Sequence, residues 1–239
     1  MGSGVGYKQG KISAKKSTNA MVFLLIPIFL CCFFPSVALA EKSLTPQQVI
    51  LTWIDDPTTS QAITWLMSGD LPAQVQYIMA DEFNGSFDFA QKVDVNGTTF
   101  GSVYYRYTVN LNGLTPDTKY IYRVGSGGVW SDALSFTTAA DTDNFTFLYM
   151  GDVQSGYAEW GNMVDSLYRD YLEIKFSLLG GDLTDNSYDE IEWGQFIDAA
   201  AGVFSRIPVM PTLGNHDGNM YLKFFALPDN GPAGLQQEF

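Results

Sequence analysis

Five residues in the second half of the chain have the types and spacing to hold metal ions and move a proton: Asp152, Asp182, Asn215, His216 and Asp217. They stand in three polar clusters, Gly151-Asp152-Val153-Gln154, Gly180-Gly181-Asp182-Leu183-Thr184-Asp185 and Gly214-Asn215-His216-Asp217. Two carboxylates and an amide oxygen converging on one crevice make a nest for hard cations. Without a cation, Asp152 and Asp182 would repel each other there. His216 is the only histidine in the chain. Its imidazole is suited to give a proton to a leaving alkoxide or to grip a phosphate oxygen. Two ions about 3.5–4 Å apart would activate a water and neutralise phosphoryl oxygens together.

Convergence of the clusters depends on the elements between them. Each cluster follows a continuous apolar run, Phe145–Met150, Phe176–Leu179 and Ile207–Leu213 in turn. Such runs predict the strands of a buried parallel sheet. Between them, Glu159–Tyr171 has helical spacing with Met163, Leu167 and Tyr171 on one face. Tyr188–Phe204 predicts a second helix with Ile191, Phe196, Ile197 and Ala200 facing inward. Asp152 and Asp182 are 30 positions apart and Asp182 and Asn215 are 33 apart, the length of one strand-helix-strand unit. Right-handed crossovers then bring all three clusters to the carboxyl edge of the sheet, where ligands of open α/β sheets bind.

The first half has a different period. Gln48–Ile54, Ala62–Leu66, Gln74–Ile78, Val93–Val95, Val103–Val109, Tyr120–Val124 and Ala133–Phe136 read as short strands separated by turn residues such as Asn84-Gly85 and Asn96-Gly97. About seven strands over about 95 residues predict a two-sheet sandwich. The polar stretch Ala139-Ala140-Asp141-Thr142-Asp143 closes it. The predicted architecture is therefore an all-β sandwich over 41–141, followed by the first β-α-β-α-β part of an α/β domain over 142–239.

Residues 1–40 read as a signal peptide. Lys8, Lys11, Lys15 and Lys16 precede an apolar run that ends at Ala38-Leu39-Ala40, a small-x-small cleavage pattern. Export to the extracellular space or the periplasm follows, with no stable membrane association after cleavage. Both cysteines, Cys31 and Cys32, lie in that segment, so the mature chain would have no disulfide. The formal charge is −13, and removal of four lysines leaves 9 basic residues against 26 acids, or −17. That balance argues against a nucleic-acid partner, whose phosphates need Lys and Arg. It leaves a small phosphate ester open, because bound ions supply positive charge locally.

The ordered series GD…GGDLTD…GNHD is similar to the signature of the calcineurin-like metallophosphoesterases. Leu114-Thr115-Pro116-Asp117-Thr118-Lys119-Tyr120 resembles the turn of fibronectin type III domains in which a tyrosine closes a corner on upstream backbone. A fibronectin type III-like domain ahead of a phosphoesterase domain resembles the make-up of the purple acid phosphatases. Phe225-Ala226-Leu227-Pro228-Asp229-Asn230-Gly231-Pro232 resembles the loop after the third motif in that family. The resemblance implies that Asp152 binds a first metal ion, Asp182 bridges two, and Asn215 binds the second. It implies that His216 contacts the phosphate and assists the leaving group while Asp217 orients it. The ions would be Fe, Zn or Mn.

The chain departs from the family at two positions. Gln154 stands where most metallophosphoesterases have a histidine, and Asp185 stands where purple acid phosphatases have the tyrosine that gives their colour. Either could fill the vacant coordination position through oxygen. The family also draws several histidine ligands from later segments, so this chain is expected to be C-terminally incomplete and inactive by itself. The function expected of the whole protein is phosphomonoester hydrolysis. The alternatives are a phosphodiesterase of the same superfamily and a non-catalytic cell-surface binding protein.

Overall fold

A computed structural model of the chain describes residue 2 and residues 44–233. The predicted signal peptide and its cleavage site lie outside the described residues. Nine strands form the first half: β1 (Gln47–Thr52), β2 (Ser60–Ser68), β3 (Ala73–Met79), β4 (Gln91–Val95), β5 (Thr98–Phe100), β6 (Tyr104–Asn112), β7 (Lys119–Ser126), β8 (Val129–Trp130) and β9 (Leu134–Thr137). Two antiparallel sheets result, one in the order β1-β2-β6-β5 and one in the order β4-β3-β7-β8, with β9 also paired to β7. β5 and β8 were not expected. They are three and two residues long, too short for alternation to register.

Period-2 alternation sorts the side chains. Val49, Leu51, Ile63, Trp65, Met67, Tyr107 and Val109 enter the core between the sheets with Val75, Tyr120, Tyr122, Val124 and Phe136. Each large side chain so buried stabilises the fold by about 1.5–3 kcal/mol. Trp65 stacks on Tyr107 at 5.4 Å, and the Tyr107 hydroxyl donates to the carbonyls of Gly69 and Leu71. Tyr120 closes the expected corner, its hydroxyl oxygen accepting the Thr115 N–H at 3.0 Å.

The second half contains β10 (Thr146–Met150), α1 (Tyr157–Asp170), β11 (Ile174–Leu179), α2 (Glu190–Ala199), α3 (Ala201–Phe204), β12 (Val209–Pro211) and a 3-10 helix, Gly218–Lys223. The strands pair in parallel in the order β10-β11-β12. Met150 lies opposite Leu179, and Leu179 opposite Pro211, so the strand ends are level and the three polar clusters leave from one edge.

Four helix and sheet expectations are corrected. The predicted helix 188–204 is two, broken where Ala200 leaves helical geometry at φ −116° and ψ 18°. α1 buries Trp160, Gly161, Val164 and Tyr168, whereas Met163 and Tyr171 are exposed. In α2, Phe196, Ile197 and Trp193 face inward while Ile191 is exposed. Among the described residues the sheet is also covered more fully on one side than on the other, where Trp53 packs on Phe176 at 5.0 Å. Leu179 and Val209 pack beneath the helices, but Phe145, Phe147 and Tyr149 are exposed on the other side, with Phe147 stacked on Phe176 at 5.3 Å.

The sandwich is not tethered loosely to the α/β half. Ile50, Leu66 and Phe100 point from the outer face of β1, β2 and β5 into the same hydrophobic cluster as Trp193, Phe196, Phe204 and Phe224. That second contact explains why β2 is buried along its whole length. Polar bonds reinforce it. The Tyr122 hydroxyl donates to the Ser205 carbonyl at 2.6 Å, and Arg106 Nη1 donates to the Leu222 carbonyl at 2.5 Å.

Candidate metal centre

The three clusters are held together by backbone. Gly180 N–H donates to Met150 O at 2.6 Å, Asp152 N–H to Gly181 O at 3.1 Å, and Gln154 N–H to Asp182 O at 3.2 Å. The first and second loops thus continue the pairing of β10 and β11 past the sheet edge. The third loop joins through a side chain, with His216 N–H donating to Asp182 Oδ1 at 3.0 Å. Such close approach needs glycine. A Cβ on Gly181 would lie 2.6 Å from the backbone of Gly214, and one on Gly214 would collide with the Asp182 amide and carboxylate.

Backbone strain is concentrated at this edge. Of the five non-glycine residues with positive φ among the described residues, three are Asp152 (51°), Gln154 (37°) and Asp182 (53°). Such conformations cost about 1–3 kcal/mol each and gather where surrounding structure needs a side chain aimed in a particular direction. Neither Asp152 nor Asp182 has a Lys or Arg ion-pair partner among the described residues. Two uncompensated carboxylates and the exposed Asn215 amide are a hard-oxygen donor set, so the residues present fit a cation such as Mn or Fe. Among the described residues no group of three or more His, Cys, Asp and Glu side chains is placed to hold an ion. The two carboxylates and one amide would furnish no more than part of a ligand set.

His216 and Asp217 separate in role. The His216 ring places Nδ1 at 3.1 Å from the Asp185 carbonyl oxygen and 3.5 Å from Asp185 Oδ1. The hydrogen bond to the Asp185 backbone, with the charges of Asp182, Asp185 and Asp217 behind it, raises the pKa of the imidazole above its ordinary value. Asp217, expected to orient this ring, turns the other way. Fully buried, its Oδ1 accepts from Leu183 N–H at 2.6 Å and Thr184 N–H at 3.2 Å, and its Oδ2 accepts from Gly214 N–H at 2.9 Å. A buried carboxylate takes the donors that surround it, and here those are two backbone amides of the second loop and one of its own, third loop. Asp217 thus fixes the loop that carries Asp182, and Asp185 orients the histidine.

Two residues not singled out from sequence join the site. Glu192, in the first turn of α2, accepts from the Asp185 and Asn186 amides, and Tyr157, at the start of α1, reaches both Glu192 and the Gln154 carbonyl. Burial foremost, and then the bond to Glu192, raise the Tyr157 phenol well above the usual tyrosine pKa. The legible signal for Glu192 was its place three residues after the helix-capping Asp189.

Comparison with known proteins follows this geometry. Residues 46–138 match the model of the purple acid phosphatase N-terminal domain, and residues 145–238 match that of the calcineurin-like phosphoesterases. The chain belongs to the purple acid phosphatase family. It is 26% identical over 205 residues to mouse acid phosphatase type 7, a match covering 80% of this chain and 45% of that protein. The fold is similar to purple acid phosphatase PPD1 from yellow lupin seeds, with a TM-score of 0.66 at 17% identity over 78% of this chain and 41% of that one. It is also similar to PhoD, with a TM-score of 0.55 at 14% identity over 73% of this chain and 40% of that one. This purple acid phosphatase chain spans less than half the length of these relatives.

Proposed function

We propose that this protein is a secreted, metal-dependent phosphatase that hydrolyses phosphomonoesters at a dinuclear centre of Fe, Zn or Mn ions. The supporting observation is the placement of Asp152, Asp182 and Asn215 at one strained sheet edge, with His216 hung between Asp182 and Asp185. Asp152, Asp182 and Asn215 would hold the ions, with further ligands coming from outside these three loops. Bound ions supply an activated water and neutralise the phosphoryl oxygens. A proton on Nδ1 of His216 satisfies the Asp185 carbonyl, which leaves Nε2 to hold a second proton. That doubly protonated ring would be suited to protonate the leaving oxygen as the ester bond breaks. Export rests on the signal-peptide pattern of residues 1–40. The sandwich is read as fibronectin type III-like, on the strength of the Tyr120 corner.

The test is hydrolysis of an aryl phosphate and of a bis-aryl phosphate by the protein produced from its native gene, with and without chelator. Chelator-sensitive release from the monoester is the expected result. Preference for the diester would replace the monoesterase reading, and absence of any turnover in a metal-loaded protein would remove the catalytic one.

A further inference from the structure

Glu192 occupies the third helical position after Asp189, whose side chain caps α2 by accepting from Ile191 N–H and Glu192 N–H. A glutamate there ordinarily reaches back to the N–H of the capping residue itself. Glu192 does not, since Asp189 N–H donates instead to the Asn186 carbonyl at 3.0 Å. The carboxylate extends further upstream, into the loop that carries Asp182. Its Oε1 accepts from Asp185 N–H at 2.8 Å and its Oε2 from Asn186 N–H at 2.9 Å. Oε1 also lies 2.6 Å from the Tyr157 hydroxyl, and that hydroxyl lies 2.7 Å from the Gln154 carbonyl. One carboxylate and one phenol thereby join the loop after β10 to the loop after β11.

The wall of the adjoining cleft, about 620 Å³, is formed in part by Gln154, Tyr157, Asp185 and Glu192. The join therefore lines a cleft on the flank of the loops that carry Asp152 and Asp182. Asp185 is the residue whose carbonyl holds the His216 ring. A displacement of the Asp185 backbone carries the imidazole's partner with it.

We propose that Glu192, acting with Tyr157, is a positioning residue that fixes the spacing of the Gln154 and Asp185 loops and, through Asp185, the placement of His216. The proposal rests on the phosphoesterase reading of this edge. Charge is part of the device. Two backbone amides point at the carboxylate, and in Glu192→Gln one of them would face an NH2 group, donor against donor. Tyr157→Phe cuts only the branch to Gln154 and leaves the Asp185 and Asn186 bonds in place.

The test combines hydrogen exchange with leaving-group selectivity, using the protein from its native gene. Glu192→Gln is expected to speed exchange of the Asp185 and Asn186 amides by about tenfold or more, while amides in the middle of α2 keep their protection. Tyr157→Phe is expected to speed exchange at Gln154, whose N–H donates to Asp182, and to spare Asp185 and Asn186. In turnover, Glu192→Gln should lose more kcat on phenyl phosphate, whose leaving group needs a proton, than on nitrophenyl phosphate, which leaves without one. Unchanged protection at Asp185 and Asn186 would overturn the proposal. So would an equal loss of kcat on both esters accompanied by loss of protection throughout α2, since that describes a helix cap and nothing more. Should Glu192→Gln fail to fold, Glu192→Asp, which keeps the charge and draws it back from the Asp185 and Asn186 amides, is read in its place by the same two measurements. An unsubstituted protein without phosphatase activity would defeat the proposed function, and the exchange pattern would still report on the clamp.

Discussion

Asp182 Oδ1 accepts the backbone N–H of His216 at 3.0 Å. The carboxylate proposed above as a metal ligand on the second loop therefore also holds the third loop in place. On the proposed assignment, Asp182→Ala would remove a ligand and a loop restraint together, whereas Asp152→Ala would remove a ligand alone. Metal affinity measured by calorimetry with Mn should fall furthest in Asp182→Ala, by more than the roughly 10–100-fold that loss of a ligand's hydrogen-bond partner costs. Asp182→Asn keeps an oxygen for the His216 N–H and should retain the loop while still losing metal. Equal losses in Asp152→Ala and Asp182→Ala would contradict the double role.

Asp217 should matter for stability more than its neighbour does. Its carboxylate satisfies three backbone donors in a fully buried setting. Asp217→Ala strands those donors and should cost about 3–5 kcal/mol in urea unfolding. His216→Ala removes a partly exposed ring and should stay within about 0.5 kcal/mol. Similar unfolding midpoints for the two variants would show that Asp217 is not the anchor described.

The halves should unfold as one. Phe100 is a sandwich residue, yet it packs edge-on against Phe224 of the α/β half at 5.0 Å. Phe100→Ala should cost about 3–5 kcal/mol and lower the stability of both halves. Tryptophan fluorescence and far-ultraviolet circular dichroism should give superimposable transitions. A protease-resistant fragment ending near Thr138, with the remainder digested, would show instead that the shared cluster is too weak to couple them.

High pH should destabilise the fold through its tyrosines. Burial raises the pKa of Tyr168 to about 12 and that of Tyr122 well above the ordinary tyrosine value. A raised folded pKa means that the folded state holds a proton the unfolded chain releases. That contribution is complete below about pH 10, the unfolded value, and is lost as pH rises toward 12. Spectrophotometric titration should show these phenols ionising only as the protein unfolds. Full ionisation near pH 10 with native circular dichroism would refute it.

The sequence by itself determined the order of elements, the three strand-end clusters and the sandwich ahead of them. Those features are local: alternation marks strands, a change of period marks the domain change, and Gly-Asp after an apolar run marks the sheet edge. That Asp152, Asp182, Asn215 and His216 leave from one sheet edge was legible because crossover handedness brings strand ends together whatever the side chains do. The tertiary structure alone decided which carboxylate serves which partner. Asp217 adjoins His216 in sequence but bonds to amides more than thirty residues away, while Asp185, also distant, holds the imidazole. Glu192 and Tyr157 meet although 35 positions separate them. The inward face of α1 likewise followed from what it packs on, not from its own period, which is why Trp160 and Val164 are buried and Met163 is exposed. Hydrogen bonds and packing depend on the distances that folding creates, and residues far apart in a chain carry no local mark of where they will meet.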